Sequence, residues 1–441
     1  MEKLIFWELN ELNFDYIKAY IERGKLPNWE RFINTHGIVT TFSEDHYEQL
    51  EPWIQWPSVR TGLSFQDHQL FRLGDIESSH HKQHWEVIED RGYTVAAVSP
   101  INGANKTNNS PFWIPDPWVD TKISGNGFVR RIAGAIKQAV NDNSHDKLEA
   151  KTLVTLIEAM LTKTLLSSWP QYIMSFFGAL NKQHWSKAII LDRLLADIFI
   201  RLWKSHRPDF SVLFLNSGAH IQHHYMLSSA SYDGEIKNPP WYVDNLADPL
   251  LEVLEMYDKV LKDLIKIKGV RIIIATGLQQ VSYERPIFYW RLKDHNRFLQ
   301  KLGVKFRHVK TLMTRDFLLE FDSLDDLACA EQLLSEVRSE SGVSMFGEID
   351  NRGGNLFVSL TFADDIQDDF TLYLNGEEFN NFRADISFVA LKNGQHHGTG
   401  YYLDSWKKST LSKQEIPLKD LFKVVTSHFD KSLNNSVKNC E

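Results

Sequence analysis

The chain of 441 residues has only two cysteines, Cys329 and Cys440, and the second lies next to the C-terminus. A disulfide framework or a cysteine-ligated zinc site is therefore not expected. Basic residues are also outnumbered, since the formal net charge is -8. Both signs of charge are mixed along the chain, so a broad basic surface is missing and nucleic-acid binding has no electrostatic support. A glycine-rich phosphate loop of the nucleotide-binding kind is missing as well.

Long uncharged apolar runs are scarce. The longest apolar stretch, residues 188–203, is interrupted at helical intervals by charged residues such as Asp192, Arg193 and Asp197. This spacing predicts an amphipathic helix that packs on a core, not a membrane span. The first residues, from Met1 to Trp7, have neither the apolar segment nor the cleavage site of a signal peptide, so we expect a cytoplasmic protein.

Buried strands alternate with helical segments along much of the chain. Four apolar runs, many of their residues β-branched, read as strands: Lys3–Leu9, 93–99, Phe210–Leu215 and Val270–Ala275. Helical patterns such as 14–23 and 85–91 separate them. We therefore predict an α/β fold, with a mostly parallel central sheet sandwiched by helices, a helical insertion and a small α+β subdomain.

The pattern also predicts where these parts begin and end. The core domain is expected in three parts, 1–126, 207–310 and 384–430, with a helical insertion at 127–206 and a C-terminal tail at 431–441. The α+β subdomain is expected at 311–383, where 344–349 and 355–362 form a hairpin about the turn 351–354. Residues 386–391 are expected to return a strand to the main sheet.

Histidines cluster at two places that follow predicted strands. Three of them, His220, His223 and His224, come just after Phe210–Leu215, and a doublet, His396-His397, follows the last predicted strand. Open α/β sheets carry their chemistry at the carboxyl ends of strands, and imidazole is the commonest metal-binding side chain. Histidines three or four residues apart share one helix face. A polar surface loop with ordinary histidines is the alternative interpretation.

A third group of histidines, His80, His81 and His84, precedes a predicted strand instead of following one. We expect these three to form the solvated start of a helix.

Several short motifs, taken in their order along the chain, carry a family resemblance. They are Leu26-Pro-Asn-Trp, Trp56-Pro-Ser-Val-Arg-Thr-Gly62 with His68 after it, Phe112-Trp-Ile-Pro-Asp-Pro-Trp118, Ala219-His220-Ile-Gln-His223 and His396-His-Gly-Thr-Gly400. Together they resemble the alkaline phosphatase superfamily, in the branch of type I phosphodiesterases and nucleotide pyrophosphatases. The resemblance implies two metal ions about 4 Å apart that clamp a phosphoryl or sulfuryl group while a threonine or serine attacks it.

The sequence departs from that family pattern at four positions. Glu8 stands where the family has an aspartate ligand, and Pro52 stands at the nucleophile position and has no hydroxyl. Ala219 replaces the aspartate of the family's Asp-x-x-x-His pair, and Thr276-Gly277-Leu278 replaces Ser/Thr-Asp-His-Gly. The ligands that remain suffice for one metal ion and are too few for a second.

The sequence therefore predicts a metal-dependent hydrolase or transferase of a phosphate or sulfate ester, on a small molecule or linked to a glycan, with one divalent ion, zinc or manganese. The alternative is a catalytically degenerate relative that binds a ligand or a protein partner. The candidate residues are the metal ligands His220, His223, His224, His396 and His397, the general bases Glu8 and Glu51, and the anion-binding side chains Arg60, Arg72 and Asn10.

Two of these acids have a structural interpretation beside the functional one. Glu8 fits a buried acid paired with an arginine. Glu51, before Pro52, fits the start of a helix, where a carboxylate meets the positive end of the helix dipole.

Overall fold

The computed structural model describes residues 2–141, 149–312, 315–407 and 415–430. Its strands, in chain order, are β1 Lys3–Leu9, β2 Val39–Phe42, β3 Val95–Val98, β4 Trp113–Ile114, β5 Phe210–Leu215, β6 Val270–Ala275, β7 Gln279–Leu292, β8 His308–Thr311, β9 Asp316–Glu320, β10 Arg338–Ser339, β11 Glu348–Asn351, β12 Asn355–Ser359, β13 Leu372–Leu374, β14 Glu377–Phe379, β15 Ile386–His397, β16 Thr399–Asp404 and β17 Glu415–Pro417.

The α-helices are interspersed with these strands along the chain. They are α1 Phe14–Glu22, α2 Pro27–His36, α3 Pro52–Thr61, α4 Phe65–His68, α5 Asp75–Ser78, α6 His84–Asp90, α7 Gly127–Asn141, α8 Ala150–Lys163, α9 Trp169–Leu180, α10 Trp185–His206, α11 Ser217–Tyr225, α12 Pro249–Ile265, α13 His295–Lys301, α14 Leu324–Glu336 and α15 Leu421–Thr426.

The main sheet has eight strands in the order β17-β2-β16-β6-β1-β5-β3-β4. The central strand β1 is parallel to β5 and β6, and β3 continues the parallel set to β4. Four residues of β1, from Leu4 to Trp7, have no exposed surface. A strand that is buried on both faces needs a continuous apolar run, which is what the sequence of β1 provides. The predicted α/β fold with a mostly parallel central sheet is confirmed.

The chain forms two compact units. The first comprises residues 1–233, 244–282 and 394–441, and the second comprises 234–243 and 283–393. Strand β7 carries the chain from the first unit into the second, β15 carries it back, and the two strands pair with each other. The segment predicted as a helical insertion, 127–206, holds α7 to α10 and lies within the first unit.

The second unit has its own apolar core, which includes Phe317, Leu334, Leu356 and Leu372. Its four-stranded sheet has the order β11-β12-β9-β8, and β11 and β12 form an antiparallel pair about residues 352–354. The α+β subdomain predicted at 311–383 falls inside this unit, which begins earlier in the chain and ends ten residues later.

One strand prediction is wrong. Residues 386–391 do not return to the main sheet, because β15 pairs with β7 in a separate two-stranded sheet. The next strand, β16, enters the main sheet instead, antiparallel to β2 and β6. Its glycine and two tyrosines, Gly400, Tyr401 and Tyr402, obscured the apolar run by which buried strands are recognised.

The prediction of a solvated helix start at His84 is also wrong. This residue begins α6 and is fully buried, with its ring centroid 5.0 Å from that of Phe210 and 5.9 Å from that of Phe6. The first turn of α6 packs against the sheet, so the histidine there lies in the apolar core.

Helix α10 has a polar face that is covered by other helices. Arg193 pairs with Asp197 and with Asp263 of α12, at 2.7 Å in each case, and all three side chains are buried. Three of the charges that interrupt this helix in the sequence, Asp192, Arg193 and Asp197, therefore do not face solvent, whereas Arg201 does. None of the helices in the described residues is long and apolar enough to cross a membrane. The cytoplasmic location stays a prediction.

Candidate metal centre

The candidate site begins with Glu11, two residues beyond the end of β1. The backbone of Glu11 is in the left-handed region, at φ 55°. Its N–H donates to the Thr276 carbonyl at 3.0 Å, and its carbonyl accepts from Gln280 N–H at 3.1 Å and from Gln222 Nε2 at 2.8 Å. Both backbone groups are thus held by neighbouring segments, which stabilises a conformation that non-glycine residues seldom adopt.

Two histidines converge on the Glu11 carboxylate. His223 lies near the end of α11, and its Nε2 is 3.0 Å from Glu11 Oε2. His396, near the end of β15, places its Nε2 3.1 Å from the same oxygen. One possible ligand atom from each residue lies within 4.8 Å of the others. Among the described residues, these three form the group whose ligand atoms lie close enough together to hold a metal ion.

The outer nitrogens of both histidines face acceptors. His223 Nδ1 is 3.2 Å from the Gly394 carbonyl, and His396 Nδ1 is 3.5 Å from Glu51 Oε2. A carbonyl or carboxylate at Nδ1 favours the tautomer that carries its proton there, so Nε2 turns a lone pair toward the carboxylate. Facing lone pairs repel unless positive charge lies among them, either as protons on the rings or as a bound cation.

This donor set fits a divalent metal ion. Two imidazoles and one carboxylate are a ligand combination of catalytic zinc sites, in which further positions stay open to water or substrate. Backbone carbonyls and carboxylates behind the ligating histidines are the usual orienting partners of such sites. The residues Glu11, His223 and His396 therefore form a triad that could hold one divalent metal ion.

Hydrogen bonds and charge fix the Glu11 carboxylate. Gln280 Nε2 donates to Oε2 at 2.5 Å and Asn10 Nδ2 donates to Oε1 at 2.9 Å. Burial raises the pKa of Glu11, but the His396 and His223 rings, when they are protonated and donate from Nε2, lower it by more, so the pKa lies well below its ordinary value. Asn10, predicted to bind substrate, thus positions the acid, and it also donates to Asn216 Oδ1 at 2.8 Å.

Glu8 is in a different environment, three residues earlier. It is fully buried, and its two oxygens face Arg60 Nε at 3.1 Å and Nη2 at 2.5 Å. The same guanidinium donates to the Ile101 carbonyl. Burial raises the pKa of Glu8 and Arg60 opposes that rise. The placement matches the structural interpretation of Glu8 as a buried acid, and the roles predicted for Glu8 and Arg60 in the reaction stay untested.

The region where the resemblance would place further ligands is filled by an indole. Gly277 has φ 72°, and a Cβ there would lie 3.1 Å from Trp56 Cε2. The Trp56 ring is fully buried and its Nε1 donates to Asn10 Oδ1 at 2.8 Å. The described residues thus offer no second group of three ligands at this edge of the sheet.

Glu51 and Arg72 are the two remaining non-histidine candidates. Glu51 is the N-cap residue of α3, with Pro52 at the first helical position, and 32% of its side chain is exposed. Its carboxylate faces the His396 ring, so the structure brings Glu51 to the triad. Arg72 is exposed, in the segment between α4 and α5, and its N–H donates to Asp75 Oδ2 at 2.7 Å.

The other three predicted histidine ligands lie outside the triad. The ring of His220, an exposed residue, is 5.0 Å from that of His224. His397 is also exposed, and its Nδ1 accepts from Thr399 N–H at 3.2 Å. Metal binding by these three histidines stays a prediction.

Sequence reasoning missed Glu11. A signal was present, because Ala219 removes a carboxylate from α11 and Glu11 supplies one close by. The two positions are linked in space through Gln280, whose Nε2 donates both to Glu11 and to the Ala219 carbonyl at 3.0 Å.

Comparisons with solved structures return proteins with this type of fold. The chain is similar to phosphonoacetate hydrolase from Sinorhizobium meliloti 1021, with a TM-score of 0.47 and 12% identity over 97% of this chain and 96% of that one. It is also similar to human ectonucleotide pyrophosphatase/phosphodiesterase 5, with a TM-score of 0.42 and 13% identity over 97% and 95%. Wild-type alkaline phosphatase PafA gives a TM-score of 0.41 and 12% identity over 96% and 95%.

No family model matches the sequence, and no curated protein matches it. A function for this chain is therefore inferred from the triad of Glu11, His223 and His396.

Proposed function

We propose that the protein is a metal-dependent hydrolase, or transferase, of a phosphate or sulfate ester, with one divalent ion bound by Glu11, His223 and His396. The observation that carries the proposal is the convergence of two imidazole nitrogens on one carboxylate oxygen, at 3.0 and 3.1 Å. A small molecule or a group on a glycan would present the ester.

When bound, a divalent ion at such a site polarises a phosphoryl or sulfuryl oxygen and lowers the pKa of a bound water. The side chains of the triad supply one negative charge and two neutral nitrogens, which leaves net positive charge to attract an anionic ester. Zinc and manganese are both compatible with these ligands.

The chain lacks a hydroxyl at the family's nucleophile position, where Pro52 stands, so we infer that water attacks the ester. The partly exposed Glu51 carboxylate lies beside the triad and is the candidate general base. It would take a proton from the attacking water as the new bond to phosphorus or sulfur forms. The ester bond breaks on the opposite side, and the departing alcohol oxygen takes up a proton. In a transferase reaction an acceptor hydroxyl would replace the water.

The second candidate function is binding without catalysis. Trp56 behind Gly277 and the Glu8–Arg60 pair occupy the region where the resemblance would place the second ion. A protein with these substitutions and an intact triad would still bind an anionic ligand through the remaining cation.

The deciding experiment is metal content by elemental analysis, after purification without chelator and after reconstitution with zinc or manganese. We expect about one ion per chain in the wild type and almost none in the variant His223→Ala/His396→Ala. The matched control His220→Ala/His397→Ala removes one histidine from each of the same two clusters and should keep the ion. Absence of metal from the reconstituted wild type would contradict the proposal.

A protein that passes this test is then assayed on bis-p-nitrophenyl phosphate, p-nitrophenyl phosphate and p-nitrophenyl sulfate. Turnover that depends on the added metal supports the hydrolase. Stoichiometric metal with no turnover, together with metal-dependent binding of inorganic phosphate or sulfate, supports the binding protein instead.

A further inference from the structure

Helices α8 and α9 expose an unusual amount of apolar surface. Ten large apolar side chains between residues 153 and 180 are 47–85% exposed: Leu153, Val154, Ile157, Leu161, Leu166, Ile173, Met174, Phe176, Phe177 and Leu180. We call this set the α8–α9 apolar face. It accounts for about half of the exposed large apolar residues in the described part of the chain. A concentration of exposed apolar side chains on neighbouring segments usually marks an interaction surface.

The two helices turn their small and polar residues inward. On α8 the buried residues are Thr152, Thr155 and Ala159. On α9 they include Gln171, Ser175 and Gly178. An amphipathic helix of a water-facing domain has the opposite arrangement, with its apolar side against the core. The amphipathic pattern of these two helices is therefore inverted.

Polar bonds hold the inward side in place. Ser168 Oγ and Tyr172 OH donate to the two oxygens of the buried Asp197 on α10, at 2.9 and 3.0 Å. Lys259 of α12 donates to Gln171 Oε1 at 2.7 Å. These bonds satisfy the charges that α10 and α12 present, so the inverted orientation is the one that leaves those polar groups paired. The apolar side is thereby fixed outward.

Charge around the face is positive, although the chain as a whole is negative. Residues 127–141 and 149–187 contain seven lysines and arginines and two glutamates, in a chain of net charge -8. One of the two, Glu158, pairs with Arg131 at 2.7 Å. Lys151 of α8, Lys182 just after α9 and Lys187 of α10 are exposed. Exposed apolar side chains accompanied by exposed lysines match the chemistry of an anionic lipid surface.

A second copy of the chain fits this face less well. A two-fold interface places the same patch on both sides, so the lysines of one copy would meet those of the other. Helix length also distinguishes surface binding from insertion across a bilayer. At about 1.5 Å per residue, α8 and α9 measure roughly 21 and 18 Å, against a hydrocarbon core of about 30 Å.

We propose that the α8–α9 apolar face docks the protein on a membrane surface that contains anionic phospholipid, with the two helices lying in the plane of the interface. This inference is independent of the proposed activity.

The experiment is co-sedimentation of the full chain with two kinds of vesicle. One is pure phosphatidylcholine, and the other is phosphatidylcholine with about 30% of the anionic lipid phosphatidylglycerol. We expect binding to the anionic vesicles that weakens as salt rises. The variant Phe176→Gln/Phe177→Gln should bind about tenfold or more weakly. Lys151→Gln/Lys182→Gln/Lys187→Gln should lose the preference for anionic vesicles, by about tenfold or more.

The matched control is Leu246→Gln/Leu324→Gln, which removes two highly exposed leucines elsewhere and should bind like the wild type. Circular dichroism and sedimentation velocity of each variant report folding and association state. Equal binding to both vesicle types, or no binding by a folded wild type, would overturn the proposal. A wild-type dimer that Phe176→Gln/Phe177→Gln converts to monomer, with no vesicle binding, would assign the face to a second copy.

Discussion

Glu8 and Glu11 are two carboxylates three residues apart, and the chain uses them in opposite ways. Glu8 is the penultimate residue of the buried strand β1 and faces the Arg60 guanidinium, and both side chains are fully buried. Glu11 follows the strand and faces two imidazoles that are 21% and 9% exposed. Arg60 is permanently charged and cannot exchange for another cation, whereas the imidazoles can release protons and bind a metal. The nature of the partner and its access to solvent make one acid structural and the other a candidate site.

Breaking the Glu8 pair should have the largest effect. We expect Glu8→Gln to destabilise the fold by about 3–5 kcal/mol, because the Arg60 guanidinium is left buried without its counter-charge. The double variant Glu8→Leu/Arg60→Met removes both charges and should lower the free energy of unfolding by much less than Glu8→Gln does. Urea denaturation of the three proteins measures the free energies of unfolding. A cost below about 1 kcal/mol for Glu8→Gln would show that solvent reaches this pair.

Glu11→Gln should affect metal binding more than it affects the stability of the fold. The variant keeps the shape of the side chain but loses its charge, so we expect metal affinity and metal-dependent turnover to fall by about 10³-fold, a loss of several kcal/mol. Stability without metal should fall by only about 1–3 kcal/mol, since the amide oxygen can accept from one of the two donors, Gln280 Nε2 and Asn10 Nδ2, while the new NH2 group faces the other. Isothermal titration with zinc, next to urea denaturation of the metal-free protein, separates the two effects. A variant that binds zinc like the wild type would remove Glu11 from the ligand set.

Glu51→Gln sharpens the comparison at the edge of the triad. The carboxylate lies 3.5 Å from His396 Nδ1 and orients that ring, so its loss should weaken metal binding by about 10–100-fold. The control Glu48→Gln removes the same charge from an exposed position three residues earlier. Equal metal affinities in the two variants would show that Glu51 affects metal binding only through its negative charge, and not by orienting the His396 ring.

The smallest effect concerns a histidine outside the triad. Burial, aided by His81 and opposed by Asp67, lowers the pKa of His68 to about 4. Its Nδ1 accepts from Leu70 N–H at 3.0 Å and its Nε2 lies 2.9 Å from Ser58 Oγ. The unfolded state, with an ordinary pKa of about 6.5, binds the proton first as pH falls. Stability due to this neutral ring is therefore complete above about pH 6.5 and declines down to about pH 4.

We expect His68 to account for about 1 kcal/mol of stability lost between about pH 7 and pH 5.5. Urea denaturation at both values, for the wild type and for His68→Gln, isolates this contribution because the other histidines are common to both proteins. An equal loss in the two proteins would place the pKa of His68 near its ordinary value.

The sequence predicted the sheet well because buried parallel strands need continuous apolar runs. Strands β1, β5 and β6 are observed with the bounds expected from their sequences. Strand β16 was missed, since Gly400 and the tyrosines after it do not form such a run. The error on His84 has a similar origin, because a polar side chain within a packed helix end has no signature in the local pattern.

The candidate site was predicted only in part. His223 and His396 were among the expected ligands, and the structure places both against one carboxylate. Which carboxylate it is depends on the pairing of β1 with its neighbours and on the turn after it. Local sequence favours Glu8, the acid within the strand, and only the three-dimensional arrangement distinguishes it from Glu11.

The left-handed backbone of Glu11 has a consequence for engineering. Residues such as asparagine or glycine adopt this conformation at lower cost, and neither would bury a long charged side chain. Substitutions chosen only to raise the melting temperature would therefore tend to accumulate at this position, and each would remove the triad's acid. Glutamate at this position therefore marks a place where thermal robustness and chemistry are opposed.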